Sequence, residues 1–206
     1  MTFIRYSSRF SAAVLVCVLS AGLAVDVTQA DELSDQIERA LDAYRDKDYG
    51  GAMRRLDVAI ALLRQKKAEV VADLLPEPLS GWNAGDAQHS IAATPLMAGG
   101  ITASRTYTRR GENGQDTSVK ITLMTDSPLL QSVSILLANP VFADPQSKVM
   151  IVAGQKVYYN ADDNALQAVV ADRALVVVDG SSGVDQSTLK EYFGAIDFEA
   201  LGKYLR

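Results

Sequence analysis

Apolar residues recur every three or four positions across 31–75: Leu33, Ile37, Leu41 and Tyr44, then Met53, Leu56, Ile60 and Leu63, then Val70, Val71 and Leu74. That period marks one face of an α-helix. Asp46-Lys47-Asp48 and Gly50-Gly51 interrupt it, so the pattern predicts two antiparallel helices joined by a short turn. Pro76 and Pro78 end the second helix, because proline lacks an amide donor and disfavours helix in the residue before it. Beyond Gly100 the period changes to two. Residues 101–109 are β-prone, and Val119, Ile121 and Leu123 alternate with Lys120, Thr122 and Met124. Asn113-Gly114 tolerates the positive φ of a tight turn and predicts a hairpin of 101–110 with 117–125.

Asp126-Ser127-Pro128 predicts a helix start, with Asp or Ser as cap and Pro in the first turn. Leu129, Leu130, Val133, Leu136 and Leu137 give that helix a wide apolar face, and Asn139-Pro140 ends it. Four short β runs follow, 148–152, 156–160, 165–171 and 174–178, with turns short enough for an antiparallel meander. The apolar run 175–178 predicts a central strand. Closing helices are expected at 187–194 and 198–205. The fold class that follows is α+β: an N-terminal helical hairpin, then an antiparallel β-sheet domain with helices packed on it. The expected division is a signal peptide at 1–30, the hairpin at 31–75, a linker and loop at 76–100, and the sheet domain at 101–206. Trp82 closes the stiff Pro-x-Pro connector and is expected to tuck its ring against the sheet.

Ala40, Tyr44, Asp48-Tyr49, Ala52, Leu56 and Ala59-Ile60 resemble a single tetratricopeptide repeat, in which small residues let two helices approach closely. Repeats of that kind need about three units to stand alone, so the resemblance implies a hairpin that packs on the rest of the chain or on a partner. An ordinary helical hairpin accounts for the same residues.

The leader changes the picture more than the composition does. Arg5 and Arg9 precede an apolar run at 11–24, and Thr28-Gln29-Ala30 offers small residues at the −3 and −1 positions of a cleavage site. The run is shorter than the roughly 20 residues that span a bilayer, which favours a cleaved leader over the alternative of an uncleaved N-terminal anchor. The residue before Cys17 is Val16, where a lipobox needs a small one, so lipidation is not expected. Cleavage after Ala30 would leave 176 residues with 18 basic and 24 acidic side chains and no cysteine. Such a chain has no disulfide and no thiolate chemistry. The expected location is periplasmic or secreted, with no stable membrane insertion after cleavage. The 206 residues are 22% charged with a net charge of −5, which speaks against a broad nucleic-acid-binding surface. Together the leader, the hairpin, the stretch Leu75-Pro76-Glu77-Pro78-Leu79-Ser80-Gly81-Trp82 and the stretch from Asp126 to Val133 (DSPLLQSV) resemble a group of exported bacterial proteins of unknown function. The resemblance covers most of the mature chain. It implies location and architecture and supplies no catalytic residues.

Candidate chemistry is sparse. His89 is the sole histidine and stands near Asp86 in a segment, 86–100, that reads as mostly loop. HExxH, Walker and GxGxxG motifs are absent. Ser187-Thr188-Leu189-Lys190 spells SxxK without the SDN and KTG motifs that accompany it in penicillin-binding enzymes, and a capping Ser187 with a solvated Lys190 explains the same residues. Asp162-Asp163-Asn164 suits a turn better than a calcium loop, having no EF-hand spacing. Gly180-Ser181-Ser182-Gly183 reads as a flexible turn with no basic residue near it in sequence. Arg64, Lys66 and Lys67 suit the C-terminal end of a helix dipole.

Arg105, Tyr107 and Arg109 share one strand face, with Lys120 and Lys156 as possible neighbours, and form a candidate polar recognition surface, as does any solvated strand face. Tyr44 and Tyr49 of the hairpin complete the candidate interaction residues. No catalytic residue, cofactor or metal is expected. The function expected is an exported, non-enzymatic interaction or accessory protein with an envelope protein as partner. The alternative is a small-ligand or lipid-binding protein with a pocket between the 128–138 helix and the sheet.

Overall fold

The computed structural model describes residues 24–91, 100–111, 114–128, 130–138 and 147–206. Two compact units divide the chain, residues 1–56 and 57–206. The first holds α1 (Ala24–Arg45) and the opening turns of α2 (Tyr49–Asp73). The helix α1 runs through the expected cleavage junction at 28–30; most of the expected leader lies outside the described residues.

Gly50 and Gly51 do not break the pattern as the sequence suggested. Both lie in the first turn of α2. The turn is made at Asp46-Lys47-Asp48, the first part of the expected interruption, where Lys47 takes φ 62°. Asp48 then caps the new helix: its carboxylate accepts the Gly51 amide at 2.8 Å and its carbonyl accepts the Ala52 amide. A Cβ on Gly51 would fall 2.0 Å from the Asp48 carboxylate, so glycine here is what lets the cap close. Ala40 and Ala52 are buried in this unit while Ile37, Leu41, Tyr44, Tyr49, Met53 and Leu56 are exposed. Small residues thus hold the close-packed side of the hairpin and large ones face outward.

The second unit is a sheet of eight strands, in the order β1-β3-β4-β8-β7-β6-β5, with β2 also paired to β3. Their ranges are β1 Asn83–Ala84, β2 Gln88–Ile91, β3 Ile101–Arg110, β4 Asp116–Thr125, β5 Lys148–Val152, β6 Gln155–Asn160, β7 Ala165–Val170 and β8 Ala174–Gly180. All the pairings are antiparallel. The predicted hairpin pairs Ile101 with Thr125 and Arg110 with Asp116. The meander from β5 to β8 is present, and β8 is central, between β4 and β7. The segment read as loop at 86–100 contains β2, which pairs Gln88 with Ser104 and Ile91 with Ile101. It is an edge strand with one ladder partner and three exposed polar residues, so it shows no apolar alternation.

One face of the sheet is dry. Ala103, Tyr107, Val119, Ile121, Leu123, Val157, Leu166, Ala168, Val176 and Val178 point into it and are buried. The far end of α2 covers that core with Ala68, Val71 and Ala72. The helices α4 (Gln186–Gly194) and α5 (Phe198–Tyr204) add Leu189, Tyr192, Phe193 and Leu201. Both are capped by aspartate: Asp185 accepts the Thr188 amide and Asp197 the Ala200 amide, each at 2.8 Å. Ser187 is therefore inside the first turn of α4, two residues past the capping role expected of it. The helix α3 (Leu130–Ala138) touches β7, and Leu130 is buried. Leu129, Asn139 and Pro140, with the side chains of Val133, Leu136 and Leu137, lie outside the described residues.

Candidate functional site

On the hairpin, Tyr44 and Tyr49 meet across the turn, ring centroids 6.0 Å apart. Tyr44 keeps 62% of its surface exposed and Met53 66%. With Ile37, Leu41, Tyr49 and Leu56 they form an exposed apolar face within the first unit. The same spacing continues along α2 at Ile60, Leu63 and Val70, also exposed. Intervals of four and three residues from Tyr49 onward are those of a heptad seam.

The β3 trio needs correction. Arg105, Tyr107 and Arg109 do share a strand face, but it is the face turned to the core, and of the three only Arg109 is exposed. Tyr107 is fully buried. Its hydroxyl donates to the Pro76 carbonyl at 2.6 Å, and its ring lies 4.6 Å from that of Tyr192. Arg105 is half-buried and ties down the linker, donating to the carbonyls of Gly85 at 2.9 Å and Pro76 at 3.4 Å. Lys120 is not its neighbour, because Lys120 pairs with Thr106, on the opposite face. Lys156 pairs with Ile151 at the far side of the sheet. Alternation along a strand places these residues correctly relative to each other. Which face the linker and α4 would cover could not be read from it.

Trp82 is buried as expected, edge-on to Tyr192 at 5.3 Å, and the Arg109 guanidinium lies 4.6 Å over its ring. The aromatic group contains one unmatched polar atom. By geometry the Tyr192 hydroxyl is buried without a hydrogen-bond partner, with the Leu79 backbone beside it. Burial pushes both the Tyr107 and the Tyr192 hydroxyls up to about 12; Arg105 pulls Tyr107 the other way, and the Leu79 backbone and then Arg109 do so for Tyr192. The two tyrosines should therefore respond oppositely to loss of their oxygens. Tyr107→Phe should destabilise by about 1–2 kcal/mol, and Tyr192→Phe should be neutral or stabilising within about 0.5 kcal/mol. Urea denaturation of both variants checks this, and equal losses would contradict it.

Arg109 also reaches a groove of about 860 Å³ that the sequence did not indicate. Asp116, Thr117, Ser181, Ser182 and Gly183 line it with Arg109. The 180–183 loop thus has a basic residue near it after all, brought by the β3–β4 hairpin across the sheet end. Ser181 fixes the loop, exchanging backbone and side-chain hydrogen bonds with Ser118 at 2.8 Å. The Arg109 guanidinium is already stacked on Trp82.

A smaller hollow of about 370 Å³ lies at the start of α3, lined by Asp126, Ser127, Pro128, Leu130, Gln131, Asp172 and Arg173. Asp126 does not cap α3. It sits at φ 56° and its carboxylate accepts from Lys67 at 2.8 Å, Tyr204 at 2.9 Å and Thr125 at 3.1 Å. Burial works to raise its pKa, but the Lys67 and Tyr204 hydrogen bonds and the Lys67 charge hold the carboxyl below the usual range. Lys67 is thus an ion-pair partner rather than a helix-end cation; no basic residue lies in the last turn of α2.

Elsewhere the candidates fit turns. Asn160 accepts the amides of Asp162 and Asp163 and donates to the Asp163 carboxylate, an Asx turn. His89 lies exposed on β2. Among the described residues no group of three or more His, Cys, Asp or Glu is placed to hold a metal ion, and no helix is long and apolar enough to cross a membrane. No protein-family model, curated protein or solved structure matches this chain.

Proposed function

We propose that this protein is exported to the periplasm or beyond and works there as a non-catalytic interaction module, its hairpin docking the apolar face of a partner helix in the envelope. One observation carries the reading. Six large apolar side chains, Ile37, Leu41, Tyr44, Tyr49, Met53 and Leu56, lie exposed on the hairpin while its buried positions are small. Soluble domains rarely leave such a patch uncovered unless something binds it. Spacings of three and four suit a partner helix, whose own apolar stripe would fill the face. The leader pattern of Arg5, Arg9, the 11–24 run and Thr28-Gln29-Ala30 supports export.

The test compares the wild-type chain with a Tyr44→Lys/Met53→Lys variant, both recovered from envelope extract. The expected result is a stoichiometric partner held by the wild type and lost by the variant, with the fold unchanged by circular dichroism. Equal recovery in both would defeat the hairpin as the docking surface. A second reading, a small-ligand protein, is favoured by the hollow at the start of α3, whose size suits a small molecule. Its acidic and basic rim, Asp126, Asp172 and Arg173, suits a polar ligand rather than a lipid. Native mass spectrometry of the purified chain reads that outcome directly.

A further inference from the structure

We infer that the helix docked by the hairpin face belongs to a second copy of this chain, so that two hairpins close into a four-helix bundle; this rests on the interaction reading above. The apolar spacing is the first reason. Tyr49, Met53 and Leu56 on α2 follow the four-three interval of a bundle seam, and Ile37, Leu41 and Tyr44 give α1 its own stripe in the same unit. A hairpin offering two stripes needs two helices to cover it, and a second hairpin supplies both.

Charge is the second reason and the one that selects the occupant. From Asp31 to Arg45 there are five acidic residues against two basic ones. Both of those basic residues pair within the helix, Arg39 with Asp35 and Arg45 with Asp42. The acidic excess, including Glu32 and Glu38, stays at the surface. Over the part of α2 in the same unit, residues 49–56, the balance is reversed, with Arg54 and Arg55 and no acidic residue. An antiparallel, two-fold apposition sets the acidic α1 of one copy beside the basic α2 of the other, and does so twice. A single foreign helix could match only one of the two. The side chains are roughly half exposed, so the six, with their flanking residues, can supply on the order of the ~800 Å² per partner that a stable dimer buries.

Sedimentation equilibrium from about 1 to about 100 μM reads the outcome on the full chain, expressed from its first residue and purified as the host processes it. The expected result is a dimer whose dissociation constant rises at least about tenfold in the Tyr44→Lys/Met53→Lys variant, with an unchanged circular-dichroism spectrum. Both positions are more than half exposed, so the variant leaves the core untouched. A monomer throughout this range overturns the inference, and so does a dimer that the variant leaves intact. In either case, an envelope protein lost on the same substitutions would preserve the docking reading without self-association. If no partner is lost, both fall.

Discussion

Trp82→Ala should cost the sheet domain about 3–5 kcal/mol, the largest loss expected from a single substitution. The indole is almost wholly buried and is a member of the main core cluster. It stands edge-on to Tyr192, which in turn stacks on Tyr107, so three rings from the linker, β3 and α4 form one packed group. Edge-to-face pairs add about 0.5–1.5 kcal/mol to the area they bury. Truncation also strands the Arg109 guanidinium, which now lies over the ring at 4.6 Å. The other ties of the linker are polar or backbone ones: the Trp82 amide to the Leu79 carbonyl, Pro76 to Tyr107 and Arg105, Gly85 to Arg105, and β1 to β3. At a urea slope of about 1–3 kcal/mol/M, the midpoint should fall by at least about 1 M. The variant loses the chain's only indole fluorescence, so the transition is followed by far-UV circular dichroism. A loss below about 1 kcal/mol would mean that the ring is not the anchor of the linker.

The residues that could be placed from sequence are those whose surroundings are local. The β3–β4 register follows from alternation and one turn, and the meander follows from short connections between apolar runs. Tyr107 was misread because its face is decided by distant segments. Arginines flank it on the same side, yet Pro76, Trp82 and Tyr192 arrive from elsewhere to bury it. Gly50-Gly51 was misread for a different reason. Two glycines normally weaken a helix, but Asp48 needs an amide free of a Cβ three residues on. The β2 strand was missed because an edge strand carries no apolar period. Lys67 and Asp126 are 59 positions apart, and nothing local marks them as partners. The hairpin's apolar stripes were visible from the start. Their exposure was not, since periodicity shows that a face exists and leaves open what covers it.

Asp126→Asn should lower stability by about 1–2 kcal/mol at neutral pH, and the loss should vanish in acid. One carboxylate gathers three donors from three separate segments: Lys67 on α2, Thr125 at the end of β4 and Tyr204 on α5. Hydrogen bonds to a charged group contribute about 1.5–3 kcal/mol, whereas the part-exposed ion pair with Lys67 adds little by itself. Asparagine is the informative substitution because it tolerates the left-handed backbone at φ 56°, so the change removes charge without adding strain. Because the folded pKa lies below the unfolded value, the folded state binds fewer protons here than the unfolded state. The stabilisation is therefore complete above the ordinary carboxylate pKa of about 4 and is lost as pH falls through the depressed folded value. Urea midpoints measured from about pH 7 down to about pH 2 should show wild type and variant converging at the acid end. A gap that stays constant across that range would show that the Asp126 charge does not fasten α2, β4 and α5 together.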